Sequence, residues 1–528
     1  MKSVLIVLTL LASGNALKIL MYNPKSSKSH VGFVNNVGSA LIDAGHEVVM
    51  YMPELDNTFG NASNHKKARI IERKCDFFDP EQASAINGLK VGAWTQDPSI
   101  STLIKSLSKL GSFFKTSCMH QLADEKVMQQ LREERFDLGF SEFFDSCGFG
   151  IFQKIGLEKH ILLYSSLFPS THAASYGIPP TPSFVPELHA NAAPPFTFKQ
   201  RFMNQIGYFM GRFAIDKYFV ERVAEAFAPN NVTGNVRDML AKSSFFYVNT
   251  DELVDFPRPI SHKVVQIAGM GVKKALEKRG KLEKKYQDVF DNSKKGVIYI
   301  SFGSVASSMH MPDNLKQAFL QSFKEFPDVT FLWKYEDPDD PIVKNIPNLV
   351  VGSWLPQKEI FAQDKLLAFV SHGGMNSVVE ATSSGIPIIG LPLFADQYRN
   401  TLMAQSKEVG IKLEKDAVTK DIIVNVFRKI IEDPSFKKNA NTLAQMIANK
   451  PMGPDERIVK YAEFAARFDV HEALDMTGRH LNTIEFYNLD VLASMALLAV
   501  SALVILILLI KFALRLLIAK LFGKTKRD

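Results

Sequence analysis

From Val491 to Ile510 the chain runs for 20 residues without one ionisable side chain, bracketed by Asp490 and Lys511. In hydrocarbon every backbone N–H and C=O needs a partner inside its own segment, so such a run folds as a helix. At 1.5 Å per residue it spans about 30 Å, the thickness of a bilayer core. A buried core helix would be equally apolar, but it is not usually followed by a short basic tail. Here Lys511, Arg515, Lys520, Lys524, Lys526 and Arg527 stand against Asp528 alone, and basic flanks stay on the cytosolic side. At the other end a charged Lys2, an apolar run from Val4 to Ala12 and the small-residue exit Gly14-Asn15-Ala16 have the shape of a cleavable secretory signal rather than of an ordinary strand. The two ends predict a signal peptide over 1–16, a single-pass type I anchor over 491–510 and a cytosolic tail over 511–528. The bulk of the chain then lies in the secretory lumen.

The tail also explains the charge. It carries +5 of the formal +7, and with Lys2 set aside the body is left near +1, too little for the basic surface that nucleic-acid binding needs. With 528 residues, 46% of them apolar, and 3 cysteines, the chain is too long and too cysteine-poor for a disulfide-built mini-domain and too apolar for a disordered one. Cys75, Cys118 and Cys147 permit at most one disulfide, and no Cys/His spacing suggests a structural metal. The sequons Asn61-Ala62-Ser63 and Asn231-Val232-Thr233 make Asn61 and Asn231 glycosylation candidates that fit luminal placement. The last five residues, Lys524-Thr525-Lys526-Arg527-Asp528, resemble the dilysine retrieval signal of endoplasmic reticulum membrane proteins. A generic basic flank of an anchor is the plainer alternative.

Between the ends, apolar runs of strand length alternate with helical patterns. Strand Leu17 to Tyr22, a polar turn ending at His30, helix Val31 to Ala44, Gly45 as stop and strand Glu47 to Met52 read as βαβ. Further strands near Phe136 to Phe140, Ile161 to Tyr164 and Phe245 to Val248 extend this into a parallel doubly wound sheet. Six prolines between Tyr176 and Pro195, mixed with aromatics such as Phe184, Phe196 and Phe198, mark a long irregular loop, read as a wall of an apolar pocket or as surface packing. From 272 to 291 the composition shifts to Lys, Glu and Gly, the pattern of a linker. A second α/β unit then opens with strand Val297 to Phe302, followed by strands Thr330 to Trp333 and Leu366 to Ser371. The resulting organisation is a first Rossmann-like domain over 17–271, a linker over 272–291, a second Rossmann-like domain over 292–450 and a helical segment over 451–490 before the membrane.

The densest chemistry lies at strand ends in the second domain, where doubly wound sheets bind ligands. Trp354-Leu355-Pro356-Gln357 is followed by Ser371-His372-Gly373-Gly374-Met375-Asn376-Ser377, by Glu380, and by Pro392-Leu393-Phe394-Ala395-Asp396-Gln397. Glycines after Ser371 let backbone approach a ligand, and a helix opening near Met375 offers unpaired N–H groups and a positive dipole end to an anion. Asn376 and Glu380 share one helix face, so an amide can meet a phosphate while a carboxylate accepts from a pair of ribose hydroxyls. Singly, Trp354 could be core, Glu380 a solvated charge and Asp396 a turn residue.

This string closely resembles the signature of the UDP-glycosyltransferases, the family that includes the UDP-glucuronosyltransferases of the endoplasmic reticulum; it covers Trp354 to Asn400, with weaker likeness over nearly the whole chain. The resemblance implies a GT-B fold: an α/β protein of two Rossmann-like doubly wound domains facing across a cleft, with one C-terminal transmembrane helix. The first domain would bind the acceptor and the second the UDP-sugar. Trp354 would stack on uracil, Gln357 would bind the uridine part and Glu380 the ribose. Ser304, His372, Gly374, Asn376 and Ser377 would meet the diphosphate, and Asp396 and Gln397 the sugar hydroxyls. No metal and no cofactor is implied, the UDP-sugar being a co-substrate.

The family's base is a histidine just after the first strand, where His30 stands in Ser29-His30-Val31, whereas His46 reads as a turn residue after Gly45. The family orients that histidine with an aspartate, but the corresponding segment Phe140-Ser141-Glu142-Phe143-Phe144-Asp145-Ser146-Cys147 places Glu142 at that position when aligned on the cysteine. A glutamate adds a methylene, and Asp145 is the weaker substitute. The expected activity is inverting transfer of glucuronic acid from UDP-glucuronate to a hydroxyl of a small lipophilic acceptor, a detoxification-type conjugation, with Lys334 and Arg399 read either as cations that favour a sugar carboxylate or as solvated charges. Transfer of glucose is the alternative within the family. A catalytically silent UDP-sugar-binding membrane subunit is the alternative outside it. Expected partners are the UDP-sugar, the acceptor and the membrane, with a homo-oligomer left open and no nucleic acid.

Overall fold

In a computed structural model that describes residues 16–55, 65–77, 92–95, 100–272, 276 and 282–522, the apolar runs assemble into two separate parallel sheets. The first contains β1 (Lys18–Tyr22), β2 (Glu47–Pro53), β3 (Arg69–Arg73), β4 (Leu138–Glu142), β5 (His160–Tyr164), β6 (Phe246–Val248) and β7 (Val264–Gln266), in the order β3-β2-β1-β4-β5-β6-β7. The second contains β8 (Gly296–Ser301), β9 (Val329–Lys334), β10 (Leu349–Gly352), β11 (Leu366–Ser371), β12 (Ile388–Gly390) and β13 (Gly410–Lys412), in the order β10-β9-β8-β11-β12-β13. In each sheet the strand order reverses once, between β1 and β4 and between β8 and β11. Such switch points open the crevices in which α/β proteins bind ligands.

The reason for two-sided burial is visible along β8 to β11. Val297 and Tyr299, with Leu332 and Phe369, face one core, while Ile298 and Ile300, with Phe331, Trp333 and Val370, face the other. Alternate residues point to opposite faces, so helices on both faces demand a nearly continuous apolar run. In the first lobe, helix α1 (Lys28–Asp43) buries Val31, Val34, Val37 and Leu41 at helical spacing against Ile19, Met21, Val48 and Met50. Gly45, at φ +96°, follows its end as the stop read from the sequence. His46 serves that turn, its Nδ1 accepting the N–H of Leu17 at 3.2 Å.

Among the described residues, segments of each half reach the core of the other. Ala93 and Trp94, from the first half of the chain, are buried in the second core, and the Trp94 indole donates to Ser307 O at 2.8 Å. Conversely, the helix Pro454–Arg467 returns to the first core through Ile458, Ala462 and Ala465. The 272–291 stretch includes the start of a helix, Lys284–Asn292, whose Tyr286 and Phe290 are buried in the second core. Cys118 and Cys147 form a disulfide that ties the helix Ile100–Ala123 to α2 (Cys147–Ile155), and the Cys75 thiol donates to Leu55 O at 3.5 Å.

A second compact unit comprises Tyr176–Ile178 and Met476–Asp528. Its main element is the helix Leu489–Phe522, 34 residues long, and among the described residues it is the one helix long and apolar enough to cross a membrane. It exceeds the 20-residue uncharged run because the sequence after Lys511 stays apolar apart from Arg515 and Lys520, whose long stems can carry their charge outward. The signal segment up to residue 15 and the dilysine tail lie outside the described residues.

Candidate active site

The chain leaves β1 at Tyr22 and re-enters regular structure at α1, where the Ser27 hydroxyl caps the helix by accepting the His30 N–H at 3.3 Å. This places the His30 side chain in the first helical turn, above the β1/β4 switch point. From the end of β4, Glu142 approaches with both oxygens, 2.7 and 2.9 Å from His30 Nδ1. Ser165, directly after β5, adds its Oγ 3.0 Å from the same nitrogen and donates its N–H to Glu142 Oε1 at 3.3 Å. The Phe144 ring meets the imidazole edge to face at 4.7 Å between centroids. With Nδ1–H given to the carboxylate, Nε2 is the basic nitrogen. Burial works most strongly against protonating His30, but the charge and hydrogen bond of Glu142, joined by the charge of Asp396, outweigh it and hold its pKa above the ordinary 6.5.

Asp145 does not take part in this pair. It accepts from Tyr22 Oη at 2.6 Å and from the Cys147 N–H at 3.1 Å, and burial pushes its pKa up to about 6.

Across the cleft, β8 is followed by Gly303 and Ser304, and β11 runs into His372, Gly373 and Gly374 before α3 (Met375–Ser383). His372 fills the space between the two turns. A Cβ on Gly303 would lie 2.7 Å from its Cε1, and one on Gly374 2.6 Å from its Nε2, so both positions need glycine; Gly303 also sits at φ +81°. Burial first, and the Lys334 charge second, lower the His372 pKa to about 4. It is therefore a neutral ring at pH 7, with a buried Nδ1 that has no partner among the described residues. Gly374 caps α3 without a side-chain bond, leaving the first amides of the helix for an anion. Ser377 is half-buried in that first turn, and Ser304 is exposed after β8.

Farther along, Gln357 donates to Glu380 at 2.6 Å, and Tyr299 Oη donates to Gln357 at 3.4 Å. Burial raises the Glu380 pKa against the opposing influence of Lys358 and Gln357. Trp354 is 65% exposed, with Lys28 Nζ of the first lobe 5.5 Å above its ring. An open indole face beside a hydrogen-bonded amide and carboxylate suits a base and its ribose.

The two constellations meet. Asn376 donates to Ser29 O at 3.4 Å and accepts from Asn249 Nδ2 at 2.6 Å, and Asn249 also donates to Ser165 O at 2.7 Å. Ser166 donates to Asp396, which also accepts from Asn400 at 2.8 Å. Gln397 is buried, its Oε1 accepting the N–H groups of Leu393 and Phe394 at 2.9 and 3.1 Å. Ser165, Ser166 and Asn249 were not among the residues expected from the sequence. The available signal was their place: small polar residues immediately after apolar strands, where crevices open. Arg399, expected near a sugar carboxylate, is instead buried against Asp255 at 2.7 Å and donates to Pro186 O at 2.8 Å. Lys334 is likewise engaged, by Glu336 at 2.7 Å and Gly303 O at 2.9 Å. Asn231 is exposed in a left-handed turn at φ 60°, and Asn61 lies outside the described residues.

Two parallel doubly wound lobes that close on each other through the ends of their strands are the architecture of GT-B glycosyltransferases. Among solved structures of that class, LpCGTa in complex with UDP superposes with a TM-score of 0.56 at 15% identity, covering 86% of this chain and 100% of that one. The sequence then fixes the family: the model described as "UDP-glucoronosyl and UDP-glucosyl transferase" matches residues 18–528, and the chain belongs to that family. Relatives include the putative UDP-glucuronosyltransferase ugt-50 of Caenorhabditis elegans, 27% identical over 90% of this chain and 91% of its own length. UDP-glucosyltransferase 2 of Dactylopius coccus is 29% identical over 72% of each chain.

Proposed function

We propose that this UDP-glycosyltransferase is an inverting enzyme in which His30 is the general base and Glu142 its orienting carboxylate. The observation that carries the proposal is the two-oxygen contact of Glu142 with His30 Nδ1, on a lobe whose Ser29 carbonyl already touches Asn376 of the opposite lobe. His30 Nε2 takes the proton of an acceptor hydroxyl as its oxygen bonds to the anomeric carbon from the face opposite UDP. The bond from that carbon to the diphosphate oxygen breaks, and UDP leaves with the electron pair. Glu142 stabilises the imidazolium, while the amides at the start of α3 and the neutral His372 take up charge on the leaving diphosphate. Trp354, Gln357 and Glu380 hold the uridine; Ser304, Gly374, Asn376 and Ser377 face the diphosphate; Asp396 and Gln397 face the sugar. Because these groups supply the anion stabilisation, turnover should persist in excess EDTA.

Glucuronate is the donor sugar expected from the sequence. One observation favours glucose instead: Lys334 and Arg399, the cations expected to meet a carboxylate, are held by Glu336 and Asp255. The acceptor is a small lipophilic hydroxyl compound. We read the chain as an endoplasmic reticulum membrane protein with its catalytic lobes in the lumen. The Cys118–Cys147 disulfide supports an oxidising compartment and the exposed Asn231 a glycosylated one.

A panel of phenols and other lipophilic alcohols incubated with UDP-glucose or UDP-glucuronate, with conjugates weighed by mass spectrometry and their anomeric configuration read by NMR, tests this reading. It predicts β-linked conjugates from the α-linked donor. Products of retained configuration, or none from either donor, would contradict it. A silent binding subunit would bind UDP and yield no conjugate.

A further inference from the structure

Asn249 stands where two parallel strands of the first sheet end side by side. Tyr164 of β5 lies opposite Val248 of β6, and the Asn249 N–H continues the ladder by donating to Tyr164 O at 2.9 Å. Ser165 is thereby its neighbour beyond the strand ends. The Asn249 side chain, buried at 2% exposure, donates from Nδ2 to Ser165 O at 2.7 Å. The same nitrogen donates at 2.6 Å to Oδ1 of Asn376, in the first turn of α3 on the opposite lobe.

Two backbone carbonyls decide which way both amides face. An amide side chain can turn over and exchange its oxygen for its nitrogen, so its orientation follows from its partners. Ser165 O only accepts, so Asn249 must point Nδ2 toward it, and the second hydrogen of that nitrogen goes to Asn376. Asn376 must then offer Oδ1 to Asn249. Its own Nδ2 is turned to the other side, where Ser29 O, again a pure acceptor, receives one hydrogen at 3.4 Å. The other hydrogen of Asn376 Nδ2 is left for the phosphate oxygens that the N-terminus of α3 attracts. Turned over, Asn376 would set a carbonyl oxygen against that anion. Repulsion would replace a charge-assisted hydrogen bond, a difference of about tenfold or more in affinity.

We propose that Asn249 is a positioning residue for the donor: from the first lobe it locks the Asn376 amide with Nδ2 toward the diphosphate. The inference rests on the reading that Asn376 meets the diphosphate. The acceptor-side lobe then takes part in recognising a phosphate that it does not touch. The link also reaches the base, because Ser165, held by the same nitrogen, gives its N–H to Glu142 and sets its Oγ 3.0 Å from His30 Nδ1. One pair of amides therefore sets the spacing between leaving group and base.

The test titrates the full chain in lipid nanodiscs with UDP, by calorimetry, and with uridine, by ligand-observed NMR, alongside N249A, N249D, N376A and the two double variants. Uridine carries base and ribose without phosphate, so its affinity reports an intact fold and uridine site, and the ratio of UDP to uridine affinity isolates the diphosphate. N249D sets an acceptor against Asn376 and draws Nδ2 round to itself, so the ratio should fall by about tenfold or more, and by about threefold in N249A, with uridine affinity unchanged. In the N376A background each substitution should change the ratio by less than about twofold, since no amide is left to orient. An unchanged ratio in N249A and N249D overturns the proposal. So does an equal fall in UDP and uridine affinity, which would give Asn249 a purely structural role, or a loss that persists undiminished in N376A, which would make it an effect of charge or shape alone. If N376A itself leaves the ratio unaltered, the placement of Asn376 at the diphosphate fails and the proposal falls with it.

Discussion

Glu142 carries one methylene more than aspartate, yet its two oxygens bracket His30 Nδ1 at 2.7 and 2.9 Å. The longer side chain is accommodated because the Ser165 N–H also binds it, drawing the carboxylate back over the end of β5. A base acts only when unprotonated, so a His30 pKa raised above 6.5 places the acidic limb of kcat/KM above that pH. Replacing Glu142 by Gln keeps the shape and removes the charge that raises the pKa. The limb should move to lower pH while the plateau falls by about 10- to 100-fold, and a pH–rate profile of the two proteins checks both. An unmoved limb would mean that another group titrates. The pairing of His30 with Glu142 was expected only through the family resemblance, which places a histidine after the first strand and a carboxylate five residues before Cys147. Ser165, Ser166 and Asn249 were not, since a lone serine or asparagine after a strand looks the same whether it closes a turn or reaches another lobe. Arg399 shows the converse: its charge was plain, but its partner Asp255 is 144 positions away and nothing local points to it.

Among the elements, the glycine turn after β8 depends most closely on one atom pair. Gly303→Ala would bring a Cβ within 2.7 Å of His372 and force a side chain into φ +81°. Displacing that imidazole should raise KM for the UDP-sugar by more than tenfold and cost about 1–3 kcal/mol of stability, read by donor titration and thermal melting; an unchanged KM would remove His372 from the diphosphate site. The Cys118–Cys147 bridge closes a 29-residue separation, for which chain entropy gives about 3–4 kcal/mol. C118S/C147S should melt several degrees lower, with kcat little changed because neither sulfur touches the site. The long apolar strands β8 and β11 were legible in advance, being buried on both faces. The three-residue strands β12 and β13 were not, because three residues carry no readable period. The exposed face of the helix Phe198–Ile215 also escaped notice: its rings look like core until the fold leaves them outside.

For the whole molecule, the lobes are joined by exchanged elements, by the hydrogen bonds of Asn376 and Asp396 to the first lobe, and by buried ion pairs that include Arg399 with Asp255. Asp255→Asn leaves Arg399 buried without its countercharge and should cost about 3–5 kcal/mol, visible as a large fall in melting temperature. The ratio of turnover with UDP-glucuronate to UDP-glucose should not change, and a marked shift in that ratio would return Arg399 to the sugar site. Two Rossmann-like lobes could be read from the repeated strand and helix pattern. The return of Pro454–Arg467 to the first lobe could not, since Ile458, Ala462 and Ala465 make an apolar stripe that would suit either core. The central claim joins both lobes in one reaction, and a single-turnover experiment tests it most directly. With donor saturating and an acceptor from the conjugate panel, His30→Ala should lower the rate of product formation by about a thousandfold or more while UDP binds as tightly as to the unaltered protein. Product formed by His30→Ala at a rate within tenfold of the unaltered chain would contradict the account.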